Sequence, residues 1–145
     1  GVRMNIDTTF LRRCIATLEY AFEALEKSTP ESIEYDMYRS ASIKEFEIIL
    51  EQTGKLLRKC LKPYFSSAKR VDALVFKDLF RHAANHSLIN LEQVERWLLY
   101  RDNRNNTAHD YGVQFAESTL TLLSQFIEDA KSIEQVIRQC EHDSA

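Results

Sequence analysis

Val113-Gln114-Phe115-Ala116-Glu117-Ser118-Thr119-Leu120-Thr121-Leu122-Leu123-Ser124-Gln125-Phe126-Ile127-Glu128-Asp129-Ala130 carries its apolar residues in a helical rhythm. Val113, Ala116, Leu120, Leu123, Ile127 and Ala130 recur at alternating steps of three and four, the seam of a helix packed in a bundle. A helix with such a stripe must bury it against other helices, so the rest of the chain is expected to supply them.

It does so at similar spacing. Upstream, Asn90 caps a helix with Leu91, Val94 and Leu98 facing inward. Before that, Val71, Val75 and Leu79, backed by Leu74, Phe76 and Phe80, predict one helix. Tyr35 to Leu61 predicts a long one, with Ile43, Phe46, Leu50, Leu57 and Leu61 on a stripe. It is opened by Thr29-Pro30-Glu31 and closed by Pro63. Asp7 and Thr8 cap the first, whose Leu11, Ile15, Leu18, Phe22 and Leu25 face inward. No stretch has the period of a strand. The expected fold is all-α: an up-and-down antiparallel bundle of five helices in a single domain spanning 1–145, with flexible tails at 1–6 and 141–145.

Composition agrees. Three glycines and two prolines in 145 residues are too few for a many-turned β protein. No apolar run approaches the ~18 residues that span a bilayer. Charged residues interrupt Phe10 to Leu25, so that stretch does not read as a secretory signal. Cys14, Cys60 and Cys140 are far apart in sequence, which fits reduced thiols and a cytoplasmic location.

Between the last two helices lies Arg101-Asp102-Asn103-Arg104-Asn105-Asn106-Thr107-Ala108-His109-Asp110-Tyr111-Gly112. A plain connection does not need this density of charge and hydrogen-bonding groups. Arg104 offers a planar fork of donors suited to phosphate. His109 can give or take a proton near neutral pH, and Tyr111 adds a phenol. The bland reading is a helix C-terminus, where Arg and His meet unpaired carbonyls and Gly112 ends the turn. Arg81 and His86 repeat the same spacing without a following tyrosine, so spacing alone decides little.

The block Arg104-Asn105-x-x-x-His109-x-Tyr111 resembles the Arg-x4-His-x-Tyr signature of HEPN proteins. It is most similar to the branch paired with a minimal nucleotidyltransferase, in MNT–HEPN toxin–antitoxin pairs. That branch is also labelled nucleotidyltransferase substrate-binding protein. Phe46 to Leu61 and Phe76 to Ile89 are similar to its second and third helices, although Gly54 stands where the branch often has a large aromatic. The resemblance runs from about Phe10 to Ile137. It implies a dimer whose facing motifs build one cleft, and metal-independent cleavage of RNA, tRNA among the candidate substrates. Arg104 would hold the phosphate, and His109 would act as general base or acid. Asn105 would orient one of them, with Arg101 in support. Tyr111 would accept AMP from a partner nucleotidyltransferase antitoxin. Attack by a ribose 2′-hydroxyl would spare DNA. No cofactor is implied. The alternative within the same branch is a subunit that presents substrate to a nucleotidyltransferase and cleaves nothing.

Helix geometry bears on this. Five residues turn ~500°, so Arg104 and His109 would point ~140° apart on an unbroken helix. Either the helix breaks before His109 or two copies share the work across a twofold axis.

A net charge of −3 argues against indiscriminate coating of nucleic acid. Gln52 to Val71 nevertheless contains no acid, and Lys55, Arg58, Lys59 and Lys62 are spaced to share a helix face, either as a phosphate-facing ridge or as a solvated one. Asp78, His82 and His86 recur every four residues but lack a fourth ligand, so no metal is expected there. No glycine-rich phosphate loop is present.

Overall fold

The structure, a computed structural model, describes residues 3–106 and 113–143, with side chains over 5–104 and 117–141. The described residues form six α-helices and a pair of very short strands. In chain order these are β1 (Arg3–Asn5), α1 (Thr9–Lys27), α2 (Ile33–Leu61), α3 (Ala68–Asp72), α4 (Phe76–Asn85), α5 (Leu91–Asn106), α6 (Val113–Gln139) and β2 (Glu141–Asp143). The all-α bundle read from the sequence is the fold found. None of these helices is long and apolar enough to cross a membrane.

The caps explain where the helices start. Asp7 Oδ1 accepts the N–H of Thr9 at 2.9 Å, and Thr8 instead donates its hydroxyl to the buried Glu134 at 2.7 Å. α2 is not opened by Thr29-Pro30-Glu31. Glu31 takes a left-handed φ of 73°, and Ser32 caps the helix by accepting the N–H of Tyr35 at 3.0 Å. Asn90 and Gln93 form a reciprocal capping box at the start of α5, at 2.8 and 2.9 Å. After α2, a single 3-10 turn over Lys62–Tyr64 carries Pro63.

The third predicted helix is split into α3 and α4, giving six helices instead of five. The Val71 carbonyl, which a continuing helix would use for the N–H of Val75, instead accepts the Arg58 guanidinium at 2.6 Å and the N–H of Leu74 at 3.2 Å. Val75 is extended and 62% exposed rather than inward. Leu91 likewise faces solvent, at 73% exposure, and the buried stripe of α5 is Val94, Trp97 and Tyr100.

The core is centred on α2 and α6, with α1 on one side and α4 and α5 on the other. Leu123, Ile127 and Ala130 of α6 are buried as its seam predicts, and Ile133 and Ile137 continue it. Phe126 sits at the middle of an aromatic cluster, its ring 4.6 Å from Phe46, 4.9 Å from Tyr100 and 5.6 Å from Trp97. Truncating so central a ring to alanine costs about 3–5 kcal/mol.

The described parts of the two tails meet. Arg3, Met4 and Asn5 pair antiparallel with Asp143, His142 and Glu141, and the N–H of Ile6 donates to the Cys140 carbonyl at 3.2 Å. Three-residue strands carry too little alternation to be seen in a sequence. Cys60 and Cys140 are joined as a disulfide across 80 residues, with Cα atoms 5.5 Å apart, which corrects the reading of three reduced thiols. Cys14 remains a free, buried thiol.

Candidate functional site

The site is built on the last turns of α5, which the core holds firmly just before the charged block begins. Tyr100 is buried, and its hydroxyl donates to Asp129 of α6 at 2.6 Å. The same carboxylate, 3% exposed, accepts a bidentate pair from Arg96 at 2.7 and 2.9 Å and a longer bond from Gln125 at 3.3 Å. Burial first, then this bond, pushes the Tyr100 phenol well above its ordinary range, and the bond to Asp129 raises Arg96 as well. A turn further on, Asn103 donates to the buried Thr119 hydroxyl of α6 at 3.0 Å.

Beyond Tyr100 the side chains emerge from the core. Arg101 lies over the Phe76 ring with its guanidinium 5.2 Å from the centroid. Phe76 itself sits against Gly54 of α2, where an added Cβ would lie 3.3 Å from the ring. Phe76 from α4 thus fills the space beside Gly54, and that ring carries Arg101. Asp102 faces Lys77 of α4 at 3.7 Å. Arg104, about one-third exposed, has its Nε 3.5 Å from Glu47 Oε2 on α2.

α5 runs unbroken through Arg101 and Arg104 to Asn106. The two arginines, three residues apart, therefore project ~60° from one another, close enough to serve one anion. The Asn105 side chain, His109 and Tyr111 lie outside the described residues, as does the question of where the helix ends relative to His109.

The expected basic ridge is divided. Lys55, Lys59 and Lys62 are exposed, whereas Arg58 is half-buried and committed to the Val71 carbonyl. Glu47, Gly54 and Arg58 fall within an arc of ~40° around α2. That face meets Arg104, Phe76 and Val71 in turn, so α2 works as the strut behind the site.

The other candidates serve local packing. His86 stacks on Tyr64 at 3.9 Å, His82 meets Phe65 edge-on at 5.0 Å, and Asp78 faces Arg81 at 3.7 Å. Among the described residues no three His, Cys, Asp or Glu side chains are grouped to hold a metal.

Sequence reasoning missed Glu47 and Asp129. Asp129 had a signal: it falls between Phe126 and Ile133 at steps of three and four, an acid on an apolar face that must find a partner. Glu47 had none, because its role depends on how α5 crosses α2.

Comparison with known proteins places this arrangement. Residues 10–139 match the family described as nucleotidyltransferase substrate binding protein like. A Haemophilus influenzae protein named "Probable ribonuclease HepT" is 28% identical over 133 residues, covering 84% of this chain and 90% of its own length. A solved Haemophilus influenzae structure, described as the fold of a substrate binding domain of a nucleotidyltransferase, superposes with a TM-score of 0.76 at 24% identity, over 92% of this chain and 100% of its own. The match across most of the bundle, with α5 and its arginines included, makes this chain a member of the nucleotidyltransferase substrate binding protein like family.

Proposed function

We propose that the protein is a HEPN-type toxin: a metal-independent endoribonuclease that works as a homodimer and is silenced by a partner nucleotidyltransferase. The observation that carries this reading is the pair of partly exposed guanidiniums, Arg101 and Arg104. They are seated on Phe76 and Glu47 immediately before the His109 and Tyr111 of the motif. The ribonuclease name of the Haemophilus influenzae relative supports it.

In this mechanism Arg104 binds a phosphate of the RNA and stabilises the charge that grows on its equatorial oxygens. His109, from the facing subunit, takes the proton of the adjacent 2′-hydroxyl or gives one to the departing 5′-oxygen. The products are a 2′,3′-cyclic phosphate and a free 5′-hydroxyl. Asn105 orients the imidazole or the phosphate. Lys55, Lys59 and Lys62 extend the cationic surface along α2, and Arg58 reinforces it from its seat on Val71. The nucleotidyltransferase silences the enzyme by moving AMP from ATP to the Tyr111 hydroxyl with release of pyrophosphate. This adds bulk and negative charge beside the arginines.

The family description favours a second reading, a subunit that presents substrate to a nucleotidyltransferase without cleaving RNA. One experiment separates them. Purified protein is incubated with tRNA and total RNA in EDTA beside Arg104→Ala and His109→Ala. Cleavage by the parent that both variants lose supports the nuclease, and intact RNA with retained binding to the nucleotidyltransferase supports the subunit. Intact mass after co-expression with that partner tests Tyr111: an AMP increment that survives Tyr111→Phe refutes the assignment.

A further inference from the structure

At the C-terminal end of α2, a groove of about 600 Å³ opens between the 3-10 turn, the α4–α5 connection and the end of α6. That is within the range of cavities that take small organic ligands, ~300–1,000 Å³. Cys60 and Cys140 both line it, with Tyr64 and Leu88 as apolar wall and Gln139 and Glu141 as polar rim. The Tyr64 ring is fixed by its stack on His86.

The two cysteines are unequal. Cys60 is 2% exposed, whereas Cys140 is only partly buried. The remaining cysteine, Cys14, is buried with no disulfide partner. Burial first, then the nearby Glu45 carboxylate, pushes its thiol up to about 11, which keeps it unreactive near neutral pH.

We propose that the Cys60–Cys140 pair is a thiol–disulfide exchange site for a low-molecular-weight, peptide-like thiol of the glutathione class, received in this groove. Glu141 offers a carboxylate for the ligand's ammonium group, and Gln139 offers an amide for its peptide groups. The incoming thiolate attacks the more accessible Cys140 sulfur. A new bond forms between the ligand sulfur and Cys140, the Cys60–Cys140 bond breaks, and Cys60 leaves as a thiolate that takes a proton from water. A second thiol attacks the ligand sulfur of the mixed disulfide, releasing the oxidised ligand and the Cys140 thiol. In sum, two thiols become one disulfide while the protein's disulfide becomes two thiols. The reverse exchange with the oxidised ligand closes the pair again.

The bond encloses residues 60–140, and so the whole of α3 to α6 with Arg101 and Arg104. Opening it releases a constraint on the unfolded chain over a long loop, so the reduced protein should melt about 5–10 °C lower. The proposal is independent of whether RNA is cleaved.

The test uses the full chain, incubated with defined ratios of reduced and oxidised glutathione, quenched with acid and alkylated after denaturation. Oxidising ratios should leave one alkylatable thiol, on Cys14, and an intact mass two hydrogens below the fully reduced form. Intermediate ratios should place glutathione on the Cys140 peptide, and Cys60→Ser should trap that adduct. Three alkylatable thiols under every oxidising ratio would overturn the proposal. So would glutathione on Cys14 as readily as on Cys140, or an adduct on Cys60 in Cys140→Ser matching that on Cys140 in Cys60→Ser. The parent protein alone decides the first two outcomes, so misfolding of a variant cannot obscure them.

Discussion

Glu47 Oε2 stands 3.5 Å from Arg104 Nε, so the guanidinium that the motif offers to phosphate already faces a carboxylate from α2. Both groups are about one-third exposed, and such a pair adds at most about 1 kcal/mol to stability. For an RNA phosphate, however, Glu47 is a competitor for the same fork. Glu47→Gln should leave Tm nearly unchanged and tighten RNA binding about 3–10-fold at low salt, with the gain shrinking as salt rises. Filter binding at two salt concentrations measures this, and weaker binding by the variant would assign Glu47 the opposite role of holding Arg104 in place.

Asp129 is the buried hinge pin between α5 and α6. Asp129→Ala leaves Arg96 without its bidentate partner and the Tyr100 hydroxyl without an acceptor. Arg96 is 34% exposed and recovers some hydration, so the cost should be about 2–4 kcal/mol. Urea melts of the parent and variant give the value directly, and a loss below about 1 kcal/mol would show that the network contributes little.

Tyr100 sets an alkaline limit. Its phenol is held protonated in the fold above its unfolded pKa of about 10. A group raised in this way contributes stability that is complete below the unfolded pKa and drains away as pH rises past it. Lys131, raised by its hydrogen bond to Glu19, acts in the same direction. Tm should therefore fall above pH ~10, and fall less steeply in Tyr100→Phe, which is already destabilised by about 1–2 kcal/mol at pH 7. Parallel slopes for the two proteins would remove Tyr100 from the account.

Gly54 and Phe76 form a size pair. Gly54→Ala places a Cβ 3.3 Å from the Phe76 ring, a contact the partly buried ring can relieve by a small shift. The helix gains about 1 kcal/mol in propensity, so the net change should lie within about 1 kcal/mol of zero. Gly54→Phe must expel Phe76 and with it the seat of Arg101, costing about 2 kcal/mol or more. Adding Phe76→Ala should recover part of that loss, and a double-mutant cycle by thermal melts measures the coupling.

The bundle was legible because burial writes itself at steps of three and four: Leu123, Ile127 and Ala130 of the α6 seam, the α1 stripe and the apolar positions from Phe46 to Leu61 face inward as read. Where the reading failed, a competing interaction had won. Arg58 took the Val71 carbonyl and cut one helix into α3 and α4. Ser32 capped α2 in place of Thr29, and Trp97 with Tyr100 displaced Leu91 as the buried face of α5. In the candidate site, Arg101 and Arg104 were visible as residue types. Their supports, Phe76 and Glu47, were not, since contacts from α5 to residues 25 and 57 positions earlier leave no local pattern.

The hydrogen-bonded meeting of β1 and β2 brings the two ends of the described chain to a common corner. That corner adjoins Cys140, and Cys60 lies thirteen residues, or ~20 Å, along α2 from Glu47. A group attached at Arg3 or Asp143 would leave from that corner, this length of α2 away from Glu47. A donor and acceptor dye placed at Arg3 and Asp143 would begin nearly touching and separate when this corner comes apart.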